Sequence, residues 1–162
     1  MNEIDRIVDQ LQREQSGDPW HGSPLKTILK GISAELAAAR PLKGTHSIWE
    51  LVLHITAWKN ETRRRLGGAP AGEPAEGDWP KVGVISTARW REAVKNLERA
   101  HDELIDAIRQ LPEAKLFEPT NDPRNRETGA GVSYYVLLHG IVQHDVYHSG
   151  QIALLKKAGR SR

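Results

Sequence analysis

Four long segments of this sequence repeat their apolar residues every three to four positions, which is the period of an α-helix that packs by one face. The four segments span about residues 2–15, 47–66, 86–110 and 132–158. No segment shows the sustained alternation of apolar and polar residues that is typical of a half-buried strand. Two shorter helical segments, at about residues 24–31 and 33–39, lie between the first two long ones. The pattern predicts an all-α fold, an antiparallel four-helix bundle whose apolar stripes face a common core.

Two long connections interrupt the predicted bundle. Residues 69–80 are rich in Pro, Gly and Glu, and residues 116–131 contain two Pro, two Asn and one Asp. Connections of this length are uncommon in a compact domain unless they serve a function. We expect them to fold over one end of the bundle and to form the walls of a substrate entrance. The length of 162 residues fits a single domain over residues 1–162.

Charge and hydropathy exclude several classes of partner. The 23 basic and 21 acidic residues are interleaved along the chain, which gives a net charge of only +2 and no predicted basic face for nucleic acid. The longest apolar run, residues 134–138, is far shorter than the roughly 20 residues of a membrane-spanning helix. The N-terminus lacks the basic and then apolar pattern of a signal peptide. We therefore expect a cytoplasmic protein that binds neither nucleic acid nor membrane.

The absence of cysteine restricts the chemistry available to the chain. With no cysteine and 7 histidines, the sequence has no thiolate metal ligand and no cysteine nucleophile. Any catalytic metal must be bound by histidine, aspartate or glutamate.

Two histidines, His144 and His148, lie one turn apart on the last predicted helix. Residues four apart have Cβ atoms about 6 Å from each other, so two imidazoles can bind one metal ion. At 100° per residue, Leu137, Ile141 and Leu155 all lie within about 60° of His144, so both rings face the core. Buried imidazoles without partners would be costly. The pair predicts either a metal site or two core histidines that are hydrogen-bonded to neighbours.

A third metal ligand has to come from another helix. His54 interrupts the apolar run of residues 51–55 and is the best candidate, with a packing histidine as the alternative. His101 lies on the apolar face of the third long helix. It could be a fourth ligand, a group behind the ligands, or a core histidine paired with a carboxylate, and we favour the last two. The other histidines have no predicted role at this site; they are His21, His46 and His139.

Three neutral imidazoles with one open position form a known kind of catalytic zinc site, in which the metal is a Lewis acid that lowers the pKa of bound water or thiol. Zinc is our first choice of divalent metal, and nickel, iron or manganese could occupy the same ligands. Two side chains of the last helix are candidates for a catalytic role. Tyr147 could position a substrate or donate a proton, with a packing residue as the alternative. Gln151, one turn beyond His148, could hydrogen-bond a ligand histidine or the substrate.

Two stretches of the sequence carry a specific resemblance. Residues 41–58 read PLKGTHSIWELVLHITAW, and residues 144–152 read HDVYHSGQI, a histidine pair followed by Gly-Gln. The first stretch resembles the first histidine-bearing helix of the DinB-like (YfiT-like) metalloprotein superfamily, and the second resembles the second signature of that superfamily.

The resemblance implies a four-helix bundle, often a homodimer, that binds a divalent metal through three histidines. Those positions correspond to His54, His144 and His148. Characterised members are S-transferases that use low-molecular-weight thiols, together with a thiol-dependent isomerase. We therefore expect a metal-dependent enzyme that transfers a low-molecular-weight thiol to a small electrophilic substrate. A metal-dependent hydrolase and a non-catalytic metal-binding or stress protein are the alternatives.

Overall fold

The computed structural model of the chain describes residues 1–126 and 131–160, and these residues form six α-helices and no strand. The helices are α1 (Glu3–Ser16), α2 (Leu25–Leu29), α3 (Ala34–Ala38), α4 (Ile48–Leu66), α5 (Thr87–Arg109) and α6 (Tyr134–Arg160). Two 3₁₀ turns, Glu113–Phe117 and Pro123–Arg126, lie between α5 and α6. The all-α prediction is confirmed. Of the predicted connection at residues 116–131, residues 127–130 lie outside the described residues.

Local hydrogen bonds fix where the long helix α4 begins. The predicted capping box is present, because Ser47 Oγ accepts the Glu50 N–H at 3.1 Å and the Glu50 carboxylate accepts the Ser47 N–H at 2.7 Å. The end of α6 differs from the prediction, since the helix continues through Gly159 to Arg160. A β-carbon at Gly159 would collide with Leu36 of α3. This glycine therefore permits close packing between two helices instead of ending one.

The four long helices α1, α4, α5 and α6 form a bundle in which α1 and α4 each contact both α5 and α6. Near one end of α4, Trp49 packs on Trp90 with ring centroids 5.3 Å apart, and near its other end Arg63 forms an ion pair with Glu103. The first contact joins the starts of α4 and α5 and the second joins their later turns, so the two helices are parallel. Residues 67–86, which connect them, must return along the whole length of α4; we call them the crossover segment.

The other helix directions follow from similar pairs of contacts. Near the start of both helices, Glu3 Oε1 of α1 lies 3.4 Å from His139 Nε2 of α6. Farther along both helices, Glu14 Oε1 accepts a hydrogen bond from Ser149 Oγ at 2.6 Å, so α1 and α6 are parallel. Helix α4 is antiparallel to α6, and α1 is antiparallel to α5. The predicted four-helix bundle with long connections is therefore present. Two of the four neighbouring helix pairs are antiparallel, as predicted, and the other two are parallel. The crossover segment makes this possible, because it allows α5 to start at the same end of the bundle as α4.

A buried polar layer divides the core of the bundle into two apolar clusters, one toward each end. Each of the four long helices contributes to this layer, and every member is at most 5% exposed. Its members are Glu14 of α1, Lys59 of α4, His101 of α5, and Asp145 and Ser149 of α6. Among the helices of the described residues, none combines the length and the apolar character needed to cross a membrane.

Candidate metal centre

Three histidines from two antiparallel helices meet beside the polar layer. His54 of α4 and His144 and His148 of α6 each offer a ring nitrogen, and these three atoms lie within 4.8 Å of one another. His54 Nε2 and His144 Nε2 are 3.0 Å apart. His54 and His148 are buried, whereas the His144 side chain is 24% exposed and forms the open side of the cluster. The three rings could hold one divalent metal ion.

The outward nitrogens of the two buried rings have hydrogen-bond acceptors. His54 Nδ1 lies 2.5 Å from the backbone carbonyl oxygen of Asp78, and His148 Nδ1 lies 2.7 Å from Gln151 Oε1. Because these oxygens only accept, each Nδ1 carries the proton and each Nε2 keeps a free lone pair. Metal-binding histidines have this arrangement, in which the second nitrogen fixes the tautomer and the ring orientation.

The third ring is held by a carboxylate. His144 Nδ1 lies 3.4 Å from Asp145 Oδ1, and the other oxygen, Asp145 Oδ2, accepts a hydrogen bond from Lys59 Nζ. Burial alone would raise the pKa of Asp145, but the Lys59 ammonium and the hydrogen bond from His144 outweigh it and hold that pKa below its ordinary value. Asp145 is therefore an anionic acceptor. The nearest acceptors of the other two rings are neutral, and the Asp78 carboxylate oxygen Oδ1 also lies 3.4 Å from His54 Nδ1.

The cluster fits a divalent cation. The Nδ1 hydrogen bonds hold the ring protons, so the Nε2 lone pairs of His54 and His144 face each other across 3.0 Å and repel unless a cation lies near both. Burial lowers the pKa of His54, and burial lowers the pKa of His148 to about 4, with the neighbouring histidines adding to both shifts. Both rings are thus neutral near pH 7, which is the form that binds metal.

The crossover segment covers one side of the cluster. Trp79 stacks on His54 at a centroid distance of 3.9 Å and on His46 at 3.5 Å, so its indole lies between the two imidazoles. Asp78 Oδ1 also accepts a hydrogen bond from Trp58 Nε1 at 2.8 Å. The predicted wall at residues 69–80 therefore lies beside the histidines, along α4 and not over one end of the bundle. The sequence left His46 without a partner, and the structure gives it this stack.

The second predicted wall lies elsewhere. In the described part of residues 116–131, the Asn121 carbonyl oxygen accepts the Ala71 N–H at 2.8 Å, and Asn121 Nδ2 donates to the Gly68 carbonyl oxygen at 3.2 Å. These bonds attach the second connection to the start of the crossover segment, near the end of α4, and no described contact joins it to the three histidines.

The remaining candidates from the sequence occupy different positions. Gln151 binds His148 and thereby orients it. Tyr147 is 65% exposed with its ring 5.0 Å from that of His148, so it lies on the open side and does not pack in the core. His101 is a core histidine outside the cluster, but its Nδ1 accepts from Lys59 Nζ at 3.4 Å, and a carboxylate is not its partner. Burial, together with the Lys59 charge, lowers the pKa of His101 to about 4.

Lys59, Asp145 and Glu14 were not predicted from the sequence, although the sequence carries a signal for Lys59 and Asp145. Lys59 lies one turn after Ile55 on the buried stripe of α4, and Asp145 lies one turn after Ile141 on that of α6. Opposite charges on the apolar stripes of two neighbouring helices indicate a buried ion pair. Asp78 and Trp79 carry no such signal, because a connection without periodicity does not predict what it contacts.

Comparison with protein families gives a match to the family described as the DinB superfamily over residues 21–152, a span that includes all three histidines. No curated protein matches the chain.

Proposed function

The chain belongs to the DinB superfamily, and from this premise we propose that it is a divalent-metal-dependent enzyme that transfers a low-molecular-weight thiol to a small electrophilic substrate. The superfamily is metal-binding, and the histidine cluster has the composition of a catalytic site with an open position. Zinc is the first choice of metal, with nickel, iron or manganese as the alternatives. We expect the protein to act in the cytoplasm as a homodimer.

One observation carries the proposal: the three Nδ1 atoms have acceptors, while the ligand atoms of His54, His144 and His148 converge. We assign these three histidines as the metal ligands. A divalent metal bound by neutral imidazoles keeps its charge and would supply Lewis acidity that favours the thiolate form of a thiol. Gln151 then acts on the reaction by holding His148 and not by contacting the substrate.

The open side of the cluster is where the substrates have to approach. His144 is partly exposed there, and Tyr147 is in reach to position a substrate or to donate a proton to a leaving group. Because the chain has no cysteine, the thiol is a second substrate. Its sulfur forms the new bond to the electrophilic carbon, its proton passes to solvent, and the leaving group departs with its bonding electron pair.

Metal-dependent hydrolysis uses the same ligands with water in place of the thiol, and a non-catalytic metal-binding or stress protein would need the ligands alone. The test combines metal content with thiol dependence. Purified protein is loaded with zinc and assayed with several small thiols and a model electrophile, and metal content is measured by elemental analysis.

We expect close to one metal per chain and turnover that requires both metal and thiol. His148→Ala should lose most of the metal and the activity, while the matched variant His139→Ala keeps both, because His139 lies outside the cluster. Equal metal content in both variants would contradict the ligand assignment. Hydrolysis of an ester or amide without any thiol dependence would favour the hydrolase, and neither activity over a broad panel would favour the binding protein.

A further inference from the structure

We propose that Lys59 is a positioning residue for the metal centre: it holds Asp145 in place, and Asp145 in turn fixes the orientation and the tautomer of His144. The inference rests on the proposed metal site and adds a role for the buried polar layer. Neither Lys59 nor Asp145 is among the ligands.

The contacts form a continuous chain across the bundle. Lys59 and Asp145 come from α4 and α6 and are both fully buried, at 0% exposure. Lys59 Nζ donates to Asp145 Oδ2 and to His101 Nδ1, and Asp145 Oδ1 faces His144 Nδ1 at 3.4 Å. The two carboxylate oxygens therefore have separate roles, since one is held by the lysine and the other accepts from the ligand.

His144 depends on such support more than His54 does. The acceptor of His54 is the backbone carbonyl of Asp78, which cannot present any other atom. The acceptor of His144 is a side chain from the next residue, which can turn about its own bonds. Lys59 reaches it from the opposite helix and stops that rotation. The lysine also balances the carboxylate charge, so the ion pair adds no net charge beside the three histidine rings.

Stability alone is a weak explanation for the pair. Replacing a buried ion pair by apolar residues of similar size is often neutral or stabilising. The layer also lies directly behind a ligand, where changing an outer partner typically costs about 10–100-fold in metal affinity. The positions of the two charges match a role in orienting His144.

The amide variant Asp145→Asn separates positioning from packing. With Lys59 present, the ammonium will hold the amide oxygen, so the amide N–H group faces His144 Nδ1. That nitrogen must then accept, which moves the ring proton to Nε2 and blocks the ligand atom. In Lys59→Met/Asp145→Asn no ammonium holds the oxygen, so the amide turns and accepts from His144 Nδ1 again.

The experiment measures Co²⁺ affinity and the visible Co²⁺ spectrum of these variants, and the His144 tautomer of the metal-free proteins by ¹⁵N NMR. We expect Asp145→Asn to weaken Co²⁺ binding by about 100-fold and the double variant to recover at least about tenfold. The tautomer should change in the single variant and revert in the double one. A double variant that binds no better than Asp145→Asn would overturn the proposal.

If the Asp145→Asn protein does not fold, the single variant Lys59→Met tests the proposal. We expect about tenfold weaker Co²⁺ binding and an altered spectrum, and wild-type binding with an unaltered spectrum would overturn the proposal.

The matched control is Lys156→Met. Lys156 lies two turns beyond His148, and its Nζ donates to the Ile28 and Lys30 carbonyl oxygens at 2.6 and 2.8 Å. It should lower the melting temperature without changing Co²⁺ binding. A wild-type protein that binds no Co²⁺ would contradict the proposed function instead, and the tautomer measurement would then decide whether Lys59 orients His144.

Discussion

Glu14 is the member of the polar layer that is hardest to ionise. Burial raises its pKa to about 7, and the negative charge of Asp145 adds to the shift, while Lys59 and the hydrogen bond from Ser149 oppose it. The folded protein therefore binds this proton more tightly than the unfolded chain does. The resulting stabilisation is fully present below the ordinary pKa of 4.5 and is lost as the pH rises through about 7.

We predict that Glu14→Gln removes this pH dependence. The difference in unfolding free energy between the variant and wild type should shift in favour of the variant, by of the order of 1–3 kcal/mol, when the pH is raised from about 5 to about 8. The reason is that a glutamine has no charge to bury. The glutamine side-chain oxygen can still accept the hydrogen bond from Ser149. Any loss of stability that is the same at both pH values cancels when the two pH values are compared. Urea unfolding of the metal-free proteins at the two pH values measures the difference.

The control for this prediction is Glu92→Gln, which changes an exposed glutamate. It should follow the wild-type pH dependence. A Glu14→Gln protein whose stability relative to wild type is the same at both pH values would show that Glu14 titrates normally in the fold.

At the scale of elements, the crossover segment is attached to α4 along its return path. Arg65 donates to the Gly72 carbonyl oxygen at 2.6 Å, and Asn60 donates to Glu76 at 3.1 Å, before the segment reaches Trp58 and the histidines. These attachments hold Trp79 against His54, so the segment supports the ligand cluster as well as connecting two helices.

We predict that Trp79→Ala weakens Co²⁺ binding by about tenfold and destabilises the protein by roughly 1–3 kcal/mol, because it removes a stacked ring that restrains His54. Co²⁺ titration and thermal unfolding measure the two effects. Trp20→Ala is the matched control, since Trp20 is fully exposed and should change neither quantity. Unchanged Co²⁺ affinity in Trp79→Ala would mean that the Asp78 carbonyl alone holds the ring.

The sequence predicted the helices well because their signals are local. Periodic apolar residues and the Ser47–Glu50 capping box act within a few residues, and the structure has both. The proximity of the three histidines also followed, because each faces the core of its own helix. The parallel direction of α5 and the cover provided by Trp79 did not follow, since they depend on where an aperiodic connection lies against α4. The ion pair of Lys59 and Asp145 was readable in principle as two charges on apolar stripes.

At the scale of the whole molecule, the three proposed metal ligands come only from α4 and α6. The two apolar clusters and the capped helices hold the bundle together on either side of the site. We predict that the metal-free protein stays folded, with a lower melting temperature and a cooperative transition, because a bound metal adds its binding free energy to an already stable fold. Circular dichroism during heating, with and without a chelator, measures this. A metal-free chain without helical signal at room temperature would favour a structural role for the metal.

The distance along the chain between the proposed ligands has a consequence for how the protein is made. His54 meets His144, which lies 90 residues later, and His148 follows after that. During synthesis from the N-terminus, the first ligand leaves the ribosome long before its partners exist, and a lone histidine binds a metal ion weakly. Bringing such distant residues together also carries a cost in chain entropy. On the proposed ligand assignment, the site is complete only after α6 has been made, so the choice among competing metals falls to the finished protein and depends on what the surrounding cell supplies.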